Sequence, residues 1–250
     1  MSGPDIAYGQ ALGKRSRQED RIAVVPGPDR AELLILSDGM GGAVGGDIAS
    51  DLIVSTFIES WPGSGGDPRA AGSALRAAAL KANKALRGAV RQDPALAGMG
   101  GTLVAVRLTP GGILFFSMGD SPLFLVRGGT AERINADHSI GGALDEAVRR
   151  GELSQADAAE RRNRNVITSV LMGEPLETMR MDESVDVTPM GRGDILILAS
   201  DGLETLTNAE IAAIAGSGGP SARIVDDLLA AVEAKDRPRQ DNVSAIVARW

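Results

Sequence analysis

Several acidic residues of this chain directly follow apolar runs of strand length. Asp38 comes just after the run 33–36, and Asp201 comes just after the run 195–199, each within a Ser-Asp-Gly triplet. Asp120 follows a third apolar run within a Gly-Asp-Ser triplet. Because short apolar runs that end at turn residues are typical of β-strands, we predict that these three aspartates lie just past the C-terminal ends of strands.

Glu19 and Asp20 lie at the opposite end of a strand, immediately before the β-like run 21–25. A turn rich in proline and glycine separates this run from the run 33–36, which predicts a β-hairpin. In an antiparallel pair, the start of one strand lies beside the end of its neighbour. The hairpin is therefore expected to bring Glu19 and Asp20 close to Asp38.

Asp241 occupies the matching position before the last predicted strand, 243–247. If this strand runs antiparallel to the run 195–199, Asp241 comes near Asp201. All of these acidic positions can then converge on one end of the fold. Carboxylates that converge in this way repel one another unless some are protonated or cations lie among them.

Sites built from carboxylate oxygens suit Mg²⁺ and Mn²⁺. The glycines that follow Asp38 and Asp201 permit tight turns and let a backbone carbonyl approach a metal ion. An Asp-Gly pair at the end of a strand is, however, also a common turn signal. The spacing alone therefore leaves two interpretations open, a set of ordinary turns and a metal site.

The composition argues against several other classes of protein. The 250 residues carry a net charge of −7, so a basic nucleic-acid-binding surface is not expected. No apolar run is long enough for a membrane span, and the first residues do not resemble a signal peptide. The chain has no cysteine, which excludes disulfides and cysteine-based catalysis and favours a cytoplasmic location.

Apolar runs alternate with turn signals along most of the chain. The predicted strands are 21–25, 33–36, 103–108, 113–116, 123–126, 131–134, 195–199 and 243–247. Consecutive hairpins favour antiparallel sheets over a doubly wound parallel sheet. We therefore predict one α+β domain that spans residues 1–250.

Helical patterns separate these runs. Apolar spacing predicts a helix over 47–60, and a composition of good helix formers predicts another over 68–91. Three shorter helices are predicted to begin at the N-cap residues Ser154, Asn208 and Ser221.

Seven short motifs follow one another along the chain in a specific order. They are Arg15-Ser16-Arg17-Gln18-Glu19-Asp20, Asp38-Gly39-Met40-Gly41-Gly42, Gly100-Gly101-Thr102-Leu103, Gly119-Asp120-Ser121, Asp137-His138-Ser139, Ser200-Asp201-Gly202-Leu203 and Asp241-Asn242. In this order and spacing they resemble the bacterial metal-dependent serine/threonine protein phosphatases, known as the type 2C or PPM family. The resemblance implies a four-layer α/β/β/α sandwich, in which helix pairs flank two antiparallel sheets.

The resemblance also implies a site for two Mn²⁺ or Mg²⁺ ions and a role for each acidic residue. The first ion would be bound by Asp38, Asp201 and Asp241. The second would be bound by Glu19, the bridging Asp38 and the carbonyl of Gly39. A weaker third cation would be held by Asp120 with Asp201. Arg15 would hold the substrate phosphate, and Asp20 would support the ligands without binding metal.

The implied activity is hydrolysis of phosphoserine and phosphothreonine in proteins. Two cations about 4 Å apart would neutralise the phosphate and lower the pKa of a bridging water, so that the hydroxide attacks phosphorus in line. The substrates would be phosphorylated proteins of a bacterial serine/threonine kinase system, and the enzyme would be a monomer that binds neither nucleic acid nor membrane. Two alternatives are a catalytically silent regulatory module and a dedicated anti-sigma-antagonist phosphatase.

Some positions depart from the family pattern or need a separate interpretation. Gln18 stands where asparagine is usual, and Pro122 replaces the common arginine after Gly-Asp-Ser. Met40 stands where animal members carry a histidine proposed as general acid, so leaving-group protonation would fall to a metal-bound water. His138, the single histidine of the chain, is expected to serve packing and hydrogen bonding. The polar segment at about 140–164 is predicted to form a flap beside the site.

Overall fold

The strands and helices follow the predicted alternation along the chain. The structure, a computed structural model, describes residues 3–27, 31–41, 45–62, 68–175, 179–184 and 186–250. The strands in these residues are β1 (Asp5–Ala11), β2 (Asp20–Pro26), β3 (Ala31–Met40), β4 (Gly100–Gly101), β5 (Leu103–Thr109), β6 (Gly112–Met118), β7 (Leu123–Arg127), β8 (Thr130–Arg133), β9 (Asp182–Glu183), β10 (Thr188–Pro189), β11 (Ile195–Ala199) and β12 (Val243–Arg249). Gly42, part of the second motif, lies outside the described residues.

The helices are α1 (Gly46–Ser60), α2 (Pro68–Gln92), α3 (Ile140–Arg149), α4 (Gln155–Glu160), α5 (Asn208–Gly216) and α6 (Ser221–Ala234), with 3₁₀ turns at Pro94–Leu96 and Asp201–Thr205. The two long helices match the predicted ones to within one residue at each end. Among the described helices, none combines the length and the apolar composition needed to cross a lipid bilayer.

Two antiparallel sheets form the centre of the fold. Within the described residues, one sheet has the strand order β1-β12-β11-β7-β8. The other has the order β10-β6-β5-β3-β2, with β4 paired to β3 and β9 paired to β6. The predicted α+β class with two antiparallel sheets is confirmed.

Side chains of the central strands are buried on both faces, which gives three apolar layers. On β3, Leu33 and Ile35 pack with α1 and α2, whereas Leu34 packs against the other sheet. Successive side chains of a strand point to opposite faces, so a continuous apolar run fits a sheet that is covered on both sides. On the far side, α5 and α6 pack on the second sheet. The order of layers is helix pair, sheet, sheet, helix pair.

The registers of two strand pairs place the acidic motifs as predicted. In the β2–β3 hairpin, Asp20 lies directly opposite Asp38. The prediction that Asp38 lies just past the end of its strand is wrong, because Gly39 and Met40 continue β3 by pairing with β4. Strand β12 runs antiparallel to β11, with Ala199 opposite Ala245. The end of β11, which Asp201 follows, therefore lies beside the start of β12, which Asp241 precedes.

Strand β1 was missing from the predicted strands, and it forms the edge of the second sheet beside β12. Its sequence contains Gly9, which weakens the intrinsic strand signal. The packing explains this glycine, because a Cβ atom there would lie 2.7 Å from Cγ1 of Val225 on α6. The helix crosses the strand too closely for a larger residue.

Two of the predicted helix caps were wrong by one residue, and Ser154 was right. Ser154 caps α4 by accepting a hydrogen bond from the amide of Asp157. The cap of α5 is Thr207 and not Asn208, because Thr207 and Glu210 form a reciprocal capping box. Ser221 is already inside α6, and its amide donates to Oδ2 of Asp5 at 2.7 Å. The capping carboxylate of α6 thus comes from β1.

Replacing Asp5 with alanine is expected to destabilise the protein by about 1 kcal/mol, the usual cost of losing a helix cap. The first turn of α6 would lose the acceptor for the amide of Ser221. The free energy of unfolding in urea measures the change. The matched control is Asp227→Ala, which removes only an exposed ion pair with Arg223 inside α6 and should cost less than about 0.5 kcal/mol. Equal losses in the two variants would contradict the capping role of Asp5.

Candidate active site

A fully buried carboxylate joins the two sheets. Asp20, at the start of β2, accepts hydrogen bonds at Oδ2 from the hydroxyls of Ser200, at 2.8 Å, and Ser244, at 2.6 Å. Both serines belong to the other sheet or its edge, just after β11 and within β12. Burial raises the pKa of Asp20, and the two serine hydrogen bonds oppose that shift. As expected, Asp20 supports its neighbours from inside the fold.

Asp38 lies at the centre of the acidic group. Its amide donates to Oγ1 of Thr102 at 2.9 Å, and its carbonyl accepts from the amide of Thr102 at 2.8 Å. Burial raises the pKa of Asp38 well above its ordinary value, and nearby negative charges raise it further. These charges belong to Asp20, Asp201, Asp120 and Asp241. The structure therefore brings the carboxylates of both sheets into electrostatic contact.

Glu19 and the carbonyl of Gly39 meet at the first residue of α1. The amide of Gly39 donates to the Glu19 carbonyl at 3.1 Å, and the Glu19 amide donates to Oδ1 of Asn242 at 2.8 Å. A Cβ atom on Gly46 would lie 2.5 Å from Oε1 of Glu19 and 2.9 Å from the Gly39 oxygen. Only glycine at position 46 leaves room for these two oxygens.

Asp201 and Asp241 approach from the second sheet. Asp201 begins the 3₁₀ turn after β11, and its Oδ1 is buried without a hydrogen bond. Burial raises the pKa of Asp201 to about 7, together with the charges of Asp120 and Asp241. Asp241 accepts a hydrogen bond at Oδ2 from Arg15 at 2.6 Å and another at Oδ1 from the amide of Asn242 at 2.8 Å.

Arg15 and Asp120 complete the set of predicted site residues. The side chain of Arg15 is 51% exposed, so its guanidinium can contact both Asp241 and a molecule from solution. The hydrogen bond to Asp241 raises the pKa of Arg15. Asp120 is nearly buried, and burial raises its pKa to about 6, with a further contribution from Asp137.

A cavity of about 450 Å³ borders three of these carboxylates. Its acidic lining includes Asp120, Asp201 and Asp241, and its wall also includes Ser139, Gly141 and Arg164. These wall residues belong to the segment that contains α3 and α4, which is fastened at its base because Gly141 donates to the Arg164 carbonyl at 2.7 Å. The predicted flap segment therefore borders the same cavity as the carboxylates.

The family model for protein phosphatase 2C matches residues 10–247. The chain belongs to the protein phosphatase 2C family. A Streptococcus pyogenes relative, named as a putative protein phosphatase 2C-type, is 30% identical over 206 residues, which are 82% of this chain and 80% of the relative. The serine/threonine protein phosphatase PstP of Mycobacterium tuberculosis is 33% identical over 177 residues, or 69% of this chain and 32% of that longer protein.

Solved structures agree with this membership of the protein phosphatase 2C family. The crystal structure of Mycobacterium tuberculosis PstP/Ppp superimposes with a TM-score of 0.81 at 27% identity and covers 99% of both chains. The catalytic domain of PstP in complex with two manganese ions gives a TM-score of 0.77 at 28% identity and covers 98% of both chains.

The residues present fit a divalent cation by their chemistry. The ligands would all be oxygens, as Mg²⁺ and Mn²⁺ prefer. The buried, unbonded Oδ1 of Asp201 and the raised pKa values of Asp38 and Asp201 are what a cation would relieve. In the described part of the chain, no three acidic or histidine side chains already stand in the ligand geometry of one ion.

His138 has the contacts of a structural residue. Its Nδ1 accepts a hydrogen bond from the amide of Gly119 at 3.2 Å, and its carbonyl accepts from the amide of Thr168 at 2.7 Å. Burial lowers the pKa of His138, so the ring is neutral near pH 7. The ring thus supports the turn that carries Asp120, which agrees with the expected packing role.

Sequence reasoning missed four uncharged residues that hold the carboxylates in place. They are Thr102, Ser200, Asn242 and Ser244. Three of these lie within or beside the recognised motifs, so their position was a usable signal. Ser244 lies inside β12, and nothing in a strand pattern marks it as a partner of Asp20.

The stability of the metal-free protein should depend on pH through Asp201. Its folded-state pKa near 7 lies above the ordinary value of 3.8. The folded state therefore binds this proton more tightly, and stability falls as the pH rises between those two values. In EDTA, Asp201→Asn should become increasingly stabilising relative to wild type as the pH rises from about 4 to 8. Urea unfolding at several pH values measures this difference.

The control for that measurement is Asp194→Asn, for which the opposite sign is expected. The hydrogen bond from Arg127 lowers the pKa of Asp194. Its contribution to stability is therefore present above the unfolded-state pKa and is lost as the pH falls through the folded value. This variant should be destabilised at neutral pH. A pH-independent difference for Asp201→Asn would contradict the assignment.

Replacing His138 with alanine should reduce stability more than catalysis. The buried amide of Gly119 would lose its acceptor, at a cost of about 1–3 kcal/mol. We expect kcat/KM to fall by less than about tenfold, below the range of a lost general acid. Thermal unfolding and steady-state kinetics below the variant's Tm separate the two effects. A loss of kcat/KM as large as that of Asp38→Asn would make His138 catalytic.

Proposed function

We propose that this protein is a metal-dependent phosphatase that hydrolyses phosphoserine and phosphothreonine in proteins. One observation carries the proposal: carboxylates from both sheets converge on Asp38, and Arg15 pairs with Asp241, which lines an open cavity. Membership of the protein phosphatase 2C family and the solved relatives named serine/threonine phosphatases support the same reaction. Each predicted carboxylate is present, which argues against a catalytically silent regulatory module.

Enzymes of this family depend on metal ions, and the catalytic domain of PstP was solved with two manganese ions. We propose two Mn²⁺ or Mg²⁺ ions for this chain, with a weaker third. The first ion would be held by Asp38, Asp201 and Asp241. The second would be held by Glu19, Asp38 and the carbonyl of Gly39. The third would be held by Asp120 and Asp201. When bound, the ions neutralise phosphate charge and activate water as a nucleophile.

Arg15 would bind and orient the substrate phosphate. Its guanidinium presents a planar fork of donors that matches phosphate oxygens. Because its side chain is 51% exposed and reaches Asp241 at 2.6 Å, it lies at the boundary between solvent and the carboxylates. A phosphate held there would face the acidic group directly. The negative charge of Asp38 also raises the pKa of Arg15, so the two side chains lie near each other.

The segment at about 140–164 would act as a flap of a single catalytic domain. Its residues Gly141, Asp145 and Arg164 line the same cavity as Asp120, Asp201 and Asp241. A polypeptide substrate that places its phosphorylated side chain in the cavity would have to contact this wall. We further propose that the substrates belong to a serine/threonine kinase system in the cytoplasm and that the enzyme acts as a monomer.

Hydrolysis of a phosphothreonine peptide with and without Mn²⁺ tests the proposed activity. Wild-type activity should require Mn²⁺ or Mg²⁺ and disappear in EDTA. Asp38→Asn should lose at least about 10²-fold in kcat/KM, because it removes the carboxylate proposed to bridge two ions. The matched control is Asp194→Asn, a buried aspartate that pairs with Arg127. Activity that survives EDTA or Asp38→Asn would overturn the proposal.

A further inference from the structure

The guanidinium of Arg133 contacts three loops. It is the last residue of β8, and its side chain is only 15% exposed. Its NH2 donates to the carbonyl of Asp120 at 2.8 Å, and its NH1 donates to Oε1 of Glu204 at 3.3 Å. The same NH1 lies 3.5 Å from Oδ2 of Asp137.

Each of these contacts fixes a segment of the candidate site. Asp120 is itself a predicted ligand, and it lies in the turn that follows β6. Glu204 belongs to the 3₁₀ turn that begins with Asp201, so a hold on Glu204 restrains the backbone of Asp201. Asp137 lies at the start of the segment that leads into α3. One side chain therefore connects the two ligand-bearing turns with the base of the predicted flap.

The nearby negative charges explain why a guanidinium is favourable between the turns of Asp120 and Asp201. The negative charge of Asp120 contributes to the raised pKa of Asp201. Burial and Asp137 raise the pKa of Asp120, whereas Arg133 opposes that shift. The planar fork of an arginine can bond to several partners at once in fixed directions. Arg133 thus offsets the repulsion and also sets the geometry.

The residues next to Asp120 in the sequence provide no guanidinium, so a neighbouring strand supplies it. Pro122 stands two residues after Asp120, where the family resemblance predicts an arginine. Proline has no side-chain donor, and here its carbonyl accepts a hydrogen bond from the amide of Ala199 at 3.0 Å. The guanidinium beside the turn is supplied by β8, which pairs with β7 so that Arg133 lies opposite Phe124.

We propose that Arg133 is a positioning residue that holds the turns of Asp120 and Asp201 in place for cation binding. The inference rests on the proposed metal-dependent function. It assigns no contact between Arg133 and substrate or metal. Its effect is exerted through the Asp120 carbonyl and the Glu204 carboxylate.

Isothermal titration of the metal-free 250-residue chain with Mn²⁺ tests this role without an activity assay. Arg133→Gln keeps a polar but shorter side chain and removes the charge and the fork. Changes of this kind behind metal ligands typically cost about 10- to 100-fold in affinity, and we expect a loss in that range. Arg133→Lys, which restores the charge without the fork, should recover part of the lost affinity.

The matched control is Arg127→Gln. Arg127 makes a closer ion pair with Asp194, at 2.9 Å and 2.6 Å, away from the predicted ligands. This variant should lose thermal stability but bind Mn²⁺ as the wild type does. If Arg133 were merely structural, Arg133→Gln would behave in the same way.

The outcomes separate this inference from the proposed function. Mn²⁺ affinity of Arg133→Gln within about threefold of wild type, well short of the usual cost, would overturn the role of Arg133 alone. A wild-type protein that binds no Mn²⁺ would overturn the metal centre and this inference together. If Arg133→Gln does not fold, Arg133→Lys decides: weaker Mn²⁺ binding than wild type supports the role, and equal binding overturns it.

Discussion

The hydrogen bonds of Asp20 are the contact on which the candidate site depends. A single carboxylate on β2 accepts from Ser200 and Ser244, which belong to the other half of the fold. A buried charge is tolerated only where hydrogen bonds replace its hydration, so this contact fixes how the sheets meet. Asp38 lies opposite Asp20 in the hairpin, and Asp201 follows Ser200 in the chain. Asp20 therefore links the strand that carries Asp38 to the strand end that precedes Asp201.

Repulsion among the carboxylates opposes the hydrogen bonds that hold this region together. Burial and mutual charge raise the pKa of Asp38 and bring that of Asp201 to about 7 and that of Asp120 to about 6. The fold holds them together at a cost that cations would relieve. Close backbone packing adds to the constraint, since Glu19 and the Gly39 carbonyl share a space that exists only because residue 46 is glycine. Two arginines lie beside these carboxylates, Arg15 next to Asp241 and Arg133 next to Asp120.

Sequence reasoning recovered the elements that carry the site and much of its membership. The hairpin and the last strand follow from alternating apolar runs and turn residues, and their registers place Asp20 beside Asp38 as expected. It failed where neighbouring residues offered the same local signal. Thr207 and Asn208 are both good caps, and only the position of Glu210 chose between them. Strand β1 was missed because Gly9 serves the packing of α6 and not the strand itself.

By itself, the sequence determined most of the longer strands and which acidic residues lie near their ends. These features depend on local periodicity and on antiparallel geometry, both of which are encoded over a few residues. Tertiary structure alone decided that the β2–β3 hairpin meets β12 through Asp20 and Ser244, and that Arg133 joins the turns of Asp120 and Glu204. Such contacts join residues far apart in the chain, and a strand pattern specifies which face is buried but not which partner covers it.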